Sequence, residues 1–252
     1  MLGLIPALIG TVVTLVLATG AVATRALTPA GGAVAAVFGI VIVVFVGFPF
    51  LALMILFVVA SVLATRYRFA EKQARHLQEG VHGERGIPNV VAHIIVPTGL
   101  AIAGGWPHPL LAMPTTAVLY TSALAFGAAD TFASEFGVLS GHARSILSLR
   151  AVEPGTNGGV SGLGEAWAFE GALLTAVVAL GLFRLFDIAV FSIPTLLVTA
   201  TVAGFLGCQV DSVLGETLEN RGWLSKGSTN FLGMLSAVGI AAAALLAVGV
   251  VH

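Results

Sequence analysis

Apolar residues run along this chain in long tracts, and the polar ones are gathered between them. Windows of roughly 20 apolar residues, the length a helix needs to cross a bilayer, fall near 2–24, 30–47, 48–65, 88–105, 109–129, 163–183, 188–210 and 231–251. The pattern predicts an all-α, polytopic transmembrane helix bundle of about eight spans. Seven is the alternative, because only Gly47-Phe48-Pro49 separates the second and third tracts. The first tract stays apolar to Ala23 and lacks a basic leader, so it reads as a retained helix and not as a cleaved signal peptide. The polar breaks divide the chain into N-terminal helices (1–65), a polar segment (66–86) and a larger bundle (87–252) whose loops would form the site.

Composition agrees with a bilayer protein. Of 252 residues 58% are hydrophobic and 9% charged, with a mean hydropathy of +1.03, which excludes an ordinary soluble domain. The single cysteine, Cys208, has no partner for an intrachain disulfide and reads as a packed core thiol. The net charge of -1 conceals how the charges are segregated. If the stretch 66–85 is cytoplasmic, alternation of spans puts Arg25, the 138–162 loop and the 211–229 loop on the same side. Ten of the 11 Lys/Arg then lie inside, Arg184 being the exception, as the positive-inside rule requires. The 105–109 and 184–187 turns and both termini would be extracytoplasmic. No nucleic-acid partner is expected, and the sequence sets no oligomeric state.

The segment Arg66 to Gly86 carries helix formers with apolar Phe69, Ala70, Ala74 and Leu77. It reads equally as an amphipathic helix resting on anionic headgroups or as a solvated linker.

Acidic residues stand at the edges of the inner loops. The fifth span ends in Gly127-Ala-Ala-Asp130-Thr131-Phe-Ala-Ser-Glu135-Phe-Gly137, and the seventh in Gly207-Cys-Gln-Val-Asp211-Ser212-Val-Leu-Gly215-Glu216. An Asp beside a hydroxyl can simply cap a helix. Two of them at the edges of apolar spans, where a carboxylate is costly, instead mark a shared metal or ion site. Each Glu follows its Asp by five residues, which sets the pair roughly 140° apart on a continuous helix. Each Asp is also followed by a loop and a Thr-Asn: Thr156-Asn157 in one half, Thr229-Asn230 in the other. These read as two parallel half-sites, with chance similarity as the rival.

The stretch Gly155-Thr156-Asn157-Gly158-Gly159-Val160-Ser161 leads straight into the sixth span. Irregular backbone cannot face lipid, because each unpaired N–H or C=O costs several kcal/mol there. Its glycines can gather N–H groups at a helix N-terminus as an anion cradle. Arg85, Arg144 and Arg150 lie on the same side and suit phosphate oxygens. Carboxylates for Mg²⁺, a Gly-rich turn and several Arg at one face together point to phosphoryl chemistry.

Asp130-Thr131-x-Ala133-Ser134-Glu135-x-Gly137, Val152-x-Pro154-Gly155-Thr-Asn-Gly-Gly-Val-Ser161, Asp211-Ser212-x-Leu214-Gly215 and Asn230-Phe231 resemble the integral-membrane DUF92 family. That family takes in the phytyl-phosphate kinase of vitamin E synthesis and transmembrane protein 19. A more distant similarity links it to the CTP-dependent dolichol and phytol kinases. The resemblance covers roughly residues 80–240. This chain departs from the pattern in having Asn89 and His93 where the family has Gln and Asn after the Arg, Glu216 where it has a small residue and Glu219 where it has an amide.

The resemblance implies a Mg²⁺-dependent membrane kinase that transfers the γ-phosphoryl of CTP, or of ATP or UTP, to an isoprenyl monophosphate. Asp130, Glu135 and Asp211 would hold the metal. Arg85, Arg144, Arg150, Gly155, Thr156, Asn157, Gly158, Gly159, Ser161, Ser212 and Asn230 would bind nucleotide phosphates, with Asn89 and His93 near the acceptor. His93 lies inside a span, and His76, His82 and His142 read as solvated, so no histidine stands out as a base. A polyprenol kinase, a CTP:lipid-phosphate cytidylyltransferase and a membrane transporter are the alternatives.

Overall fold

The structure is a computed structural model that describes residues 4–78, 83–105 and 107–251. His82 lies outside the described residues. Eight helices of 18 residues or more are present: α1 (Leu4–Ala23), α2 (Pro29–Val46), α3 (Phe48–Arg66), α5 (Ile87–Gly104), α6 (Met113–Gly137), α7 (Gly162–Leu185), α8 (Ile193–Leu214) and α9 (Lys226–Ala247). A short α4 (Phe69–Ala74) lies between α3 and α5. The starts follow local chemistry. A proline sits in the first turn of α2, α3, α5, α6 and α8, where its missing N–H would be unpaired in any case. Thr28, Ser161, Ser192 and Ser225 cap α2, α7, α8 and α9 through their hydroxyls.

Among the described residues, six of these helices are both long and apolar enough to span a bilayer. The other two of the eight differ from them for separate reasons. In α1 the stretch whose side chains are described is Ala7–Ala23, which is apolar. α6 is rich in Ser, Thr, Gly and Ala, and it is buried without a break from Thr115 to Ala129. It is the central helix, packed by α3, α5, α7, α8 and α9, so its outer surface is protein and not lipid. Its buried hydroxyls are satisfied within the helix: Thr121 and Ser122 donate to the carbonyls of Ala117 and Val118 at 2.7 and 2.8 Å. Small residues bring its neighbours close. A methyl group at Gly171 would meet the Ala128 carbonyl at 2.9 Å, and one at Gly204 would meet the Ala125 side chain at 2.6 Å, the contact type that drives helix association in lipid.

The doubtful second and third spans are separate helices. The chain turns at Gly47, φ 92°, and Arg66 at the end of α3 donates to the Thr24 carbonyl before α2 at 2.6 Å. The N-terminal helices are also part of one bundle with the rest, since α2 packs on α5 and α3 on α6. One addition breaks the all-helical pattern. The loop after α6 folds into a small antiparallel sheet in the order β2-β1-β3, with β1 Ala143–Ser145, β2 Ala151–Val152 and β3 Gly159–Val160.

Candidate functional site

The linkers at 24–28, 67–78, 83–86, 138–161 and 215–225 gather at one end of the bundle, and residues of all but the first line a polar cavity of about 350 Å³. The opposite end carries the Gly47 corner and the turn after α7, where Phe48 and Phe186 stack at 5.8 Å. Asp130 reaches the cavity from the last turns of α6 and Asp211 from those of α8. Both meet α9. The Asn230 amide donates to Asp130 Oδ2 at 3.5 Å, and one turn later Gly233 leaves room for Asp211, whose Cβ lies 3.0 Å from where a methyl would stand. Asp211 Oδ2 is buried with no hydrogen-bond partner among the described residues. An orphaned carboxylate oxygen beside a second carboxylate is a donor set for a divalent cation.

Among the described residues no three His, Cys, Asp or Glu side chains gather closely enough to hold a metal alone. Two carboxylates suit Mg²⁺, which keeps several waters and commonly shares its remaining positions with substrate phosphates. The third expected ligand, Glu135, lines the same cavity, and both of its carboxylate oxygens are already engaged. Its Oε2 accepts from Lys72 Nζ at 2.6 Å and its Oε1 from the Thr65 hydroxyl at 2.7 Å. Lys72 is fully buried, and its other two donors go to the carbonyls of Ala64 and Thr65 at 3.0 and 2.9 Å. All three ammonium protons are thereby satisfied, and the charge sits at the C-terminus of α3, where the helix dipole and unpaired carbonyls favour a cation. Glu135 therefore pins α4 to α3 and α6, where a metal ligand was expected.

Neither an amphipathic helix on headgroups nor a solvated linker, the two readings of 66–86, places Lys72 in the interior. The helix covers only Phe69–Ala74, stopped by left-handed Arg68 and His76, φ 51° and 57°. The available signal was spacing: Lys72 is three residues after Phe69 and shares its face. Beyond α4, His76 and Leu77 line the cavity, and Leu77 packs against Gly155.

The 155–161 turn lines the cavity as expected, but it differs from a preformed anion cradle. Thr156 N–H donates to the Glu153 carbonyl at 3.1 Å and Gly159 N–H to that of Thr156 at 2.8 Å. At the start of α7, Ser161 Oγ takes the Gly164 N–H at 3.0 Å. Several expected phosphate donors are thus used within the turn. Gly158 has φ +77°, and a methyl there would meet the Ser212 carbonyl at 2.9 Å and the side chain of Glu216. The approach of the loop to α8 is by itself enough to require a glycine there. Glu216 reinforces that contact, accepting from the Ser145 hydroxyl at 2.6 Å and the Leu147 N–H at 3.3 Å. Asn157 donates to Glu219 at 3.1 Å.

The arginines divide. Arg85 is buried, lines the cavity and donates to Asn89 Oδ1 at 3.5 Å. Its backbone is fixed by the α1–α2 linker, with Arg85 N–H on the Ala26 carbonyl and Thr28 N–H on its own carbonyl. Arg144 on β1 and Arg150 in the turn just before β2 are exposed and do not line the cavity. Lys226 at the start of α9 does line it, as does Glu165, which accepts from Gln209 at 2.9 Å. Sequence reasoning passed over both. Lys226 stood three residues before Thr229-Asn230 and Glu165 four after Ser161, each one helical turn from a residue already singled out.

His93, expected near the acceptor, lines the cavity beside Asp130. Its Nδ1 lies 2.9 Å from the Asn89 carbonyl, which can only accept, so Nδ1 carries a proton. Nε2 is buried without a hydrogen bond among the described residues, 3.8 Å from Asp130 Oδ2. Asn89 and His93, one turn apart on α5, so form one wall of the cavity.

Comparison with known proteins follows the same outline. The model of the family "Integral membrane protein DUF92" matches residues 12–238, so the resemblance reaches well before residue 80 into the N-terminal helices. An uncharacterized membrane protein of Synechocystis, sll0875, is 34% identical over 241 residues, 91% of this chain and 89% of its own length. The uncharacterized membrane protein MJ0933 of Methanocaldococcus jannaschii is 28% identical over 210 residues, 83% and 82% of the two chains. Protein PGR of Arabidopsis thaliana is 36% identical over 101 residues, 38% of this chain and 35% of its own. No solved structure matches. A family match over most of the chain makes this protein a member of the DUF92 family of integral membrane proteins.

Proposed function

We propose that this protein is a membrane kinase that transfers the γ-phosphoryl group of CTP, or another nucleoside triphosphate, to an isoprenyl monophosphate at the cytoplasmic face. The observation that supports it best is the meeting of Asp130 and Asp211, from two different helices, in a polar cavity also lined by Arg85 and Lys226. Asp130 and Asp211 would hold Mg²⁺, which when bound neutralises charge on the transferred phosphoryl and its neighbours. Arg85 and Lys226 would face the remaining phosphate oxygens. Asn89 and His93 would orient the acceptor phosphate, and the Gly155–Ser161 turn, packed against α8 at Gly158, would close the nucleotide side. An acceptor phosphate oxygen would form the new bond to the γ-phosphorus while the β–γ bridging oxygen leaves with the nucleoside diphosphate. A monophosphate is already anionic near neutrality, so catalysis reduces to positioning and charge stabilisation.

The test is incubation of the purified protein with γ-labelled CTP or ATP, Mg²⁺ and a panel of prenyl phosphates and prenols, followed by lipid extraction. Label in a prenyl diphosphate with release of the nucleoside diphosphate is the expected result. Label in a prenyl monophosphate would make it a prenol kinase, and release of pyrophosphate a cytidylyltransferase. No transfer from any nucleotide to any acceptor would overturn the reading.

A further inference from the structure

Beside the polar cavity lies a second, apolar hollow of about 420 Å³, between the first two turns of α5 and of α9. Pro88, Val91 and Ile95 line it from α5, and Gly227 and Phe231 from α9. The same turns serve both hollows. On α5, Asn89 and His93 face the polar cavity while their neighbours Pro88 and Ala92 face the groove; on α9, Asn230 faces the cavity and Phe231 the groove. We propose that this groove holds the tail of a single-chain isoprenoid lipid whose phosphate head occupies the Asp130–Asp211 cavity. The head assignment rests on the function proposed above; the tail assignment rests on the groove.

Three observations favour that occupant. The first is chemical. The only hydroxyls in the lining, Ser225 and Ser228, are 3.0 Å apart and cap α9 reciprocally, Ser228 Oγ taking the Ser225 N–H at 2.8 Å and Ser225 Oγ the Ser228 N–H at 3.3 Å. A polar ligand would find little to bind, and a hydrocarbon needs nothing. The second is access. Ile87 and Ile95 are 43% and 41% exposed at the groove, so it opens sideways where the bundle meets lipid. The third is size. The hollow is near the small end of ligand pockets and runs along only residues 87–95 of α5, about 13 Å of helix. That suits one tail better than paired acyl chains, and it is too short a face for a spanning helix of a second copy. Gly227 stands where α9 meets α5, and a methyl there would lie 3.7 Å from the Pro88 carbonyl, in ordinary contact.

The experiment uses geranylgeranyl monophosphate bearing a diazirine in its tail, photolysed with the full-length protein in nanodiscs, with labelled peptides located by mass spectrometry. Label is expected on 87–95 and 227–231, reduced at least tenfold by excess geranylgeranyl monophosphate and little changed by inorganic phosphate. Gly227→Phe and Ile95→Trp should each cut groove labelling severalfold and raise KM more for the twenty-carbon acceptor than for isopentenyl phosphate. Labelling confined to other helices overturns the proposal, as does displacement by a diacyl phosphatidic acid as effective as by the prenyl phosphate. Labelling that reports crosslinks between two copies at this seam would also overturn it. The readout needs no turnover: groove labelling without phosphoryl transfer keeps the tail site and discards the kinase, while transfer with label elsewhere does the reverse.

Discussion

On α6, Glu135 follows Asp130 by five residues; across the bundle, Glu216 follows Asp211 by the same five. Each Glu anchors a neighbouring segment: Glu135 holds Lys72 of α4, and Glu216 holds Ser145 and Leu147 of the sheet loop. The two Thr-Asn pairs, which look equally alike in sequence, are not equivalent. Asn230 is buried in the second turn of α9 and reaches Asp130 in the other half. Asn157 is exposed in the loop before α7 and reaches Glu219. The likeness of the halves therefore lies in how the Glu residues fasten the walls, and the difference lies in what each Asn does. One site results, because each Asn crosses to the other half's acid.

The largest expected effect tests whether the two aspartates act as a unit. Asp130→Asn and Asp211→Asn should each lower turnover by about a hundredfold or more, the scale of losing preorganised charge at a phosphoryl centre. Both variants should elute as folded protein in detergent. Near-normal turnover in either would remove that residue from the site and leave the halves unequal in chemistry as well as in geometry.

The next separates a fastening Glu from a ligand. Glu135→Leu strands the Lys72 charge in the interior, which costs on the order of 3–5 kcal/mol, and the melting temperature in detergent should fall accordingly. Lys72→Met combined with Glu135→Leu should recover most of that loss and most of the activity, because removing both partners leaves no unpaired charge. A double variant that is stable and inactive would return Glu135 to the metal.

Much of the outline was legible from the chain alone. Tract length located all eight long helices, and the confinement of charge to a few linkers anticipated that those linkers gather at one end. Asp130, Asp211 and Asn230 were legible because a carboxylate or amide at the edge of an apolar span has few uses besides a site. Lys72 was not, since it sits in a stretch whose local pattern has an adequate plain reading and only tertiary packing brings it to Glu135; His93 was placed near the acceptor by the family resemblance, while its approach to Asp130 shows only in the fold. The reach of the arginines was misjudged for a related reason. A loop residue's distance from the membrane says nothing of which way its strand turns, and β1 turns Arg144 outward.

A smaller effect distinguishes the two amides. Asn230→Ala removes a buried donor from the acid it faces and should lower kcat/KM roughly tenfold, in line with about 1–2 kcal/mol for a hydrogen bond to a charged group. Asn157→Ala loses an exposed contact to Glu219 and should change it by less than about threefold. Equal losses in steady-state assays would restore the equivalence that the sequence suggests and the geometry denies.

The smallest expected effect concerns the outer face of the sheet. Arg144 and Arg150 are exposed, so any attraction they exert on nucleotide acts through water and falls off over about 8 Å at physiological salt. Arg144→Gln and Arg150→Gln should therefore raise nucleotide KM by about twofold at most and leave kcat unchanged. Arg85→Gln gives the contrast: its guanidinium lines the cavity and is held by the Ala26–Thr28 linker through its own backbone, so the same change should weaken nucleotide binding at least tenfold, on the scale of a charge-assisted hydrogen bond. Measuring all three at low and at 0.5 M salt sharpens the division. The small effects of the sheet arginines should vanish as screening increases, while the Arg85 effect, made at contact distance and away from bulk water, should persist. If Arg150→Gln instead matches Arg85→Gln at both salts, the sheet folds over the bound nucleotide, and the cavity wall extends to β2 when substrate is present.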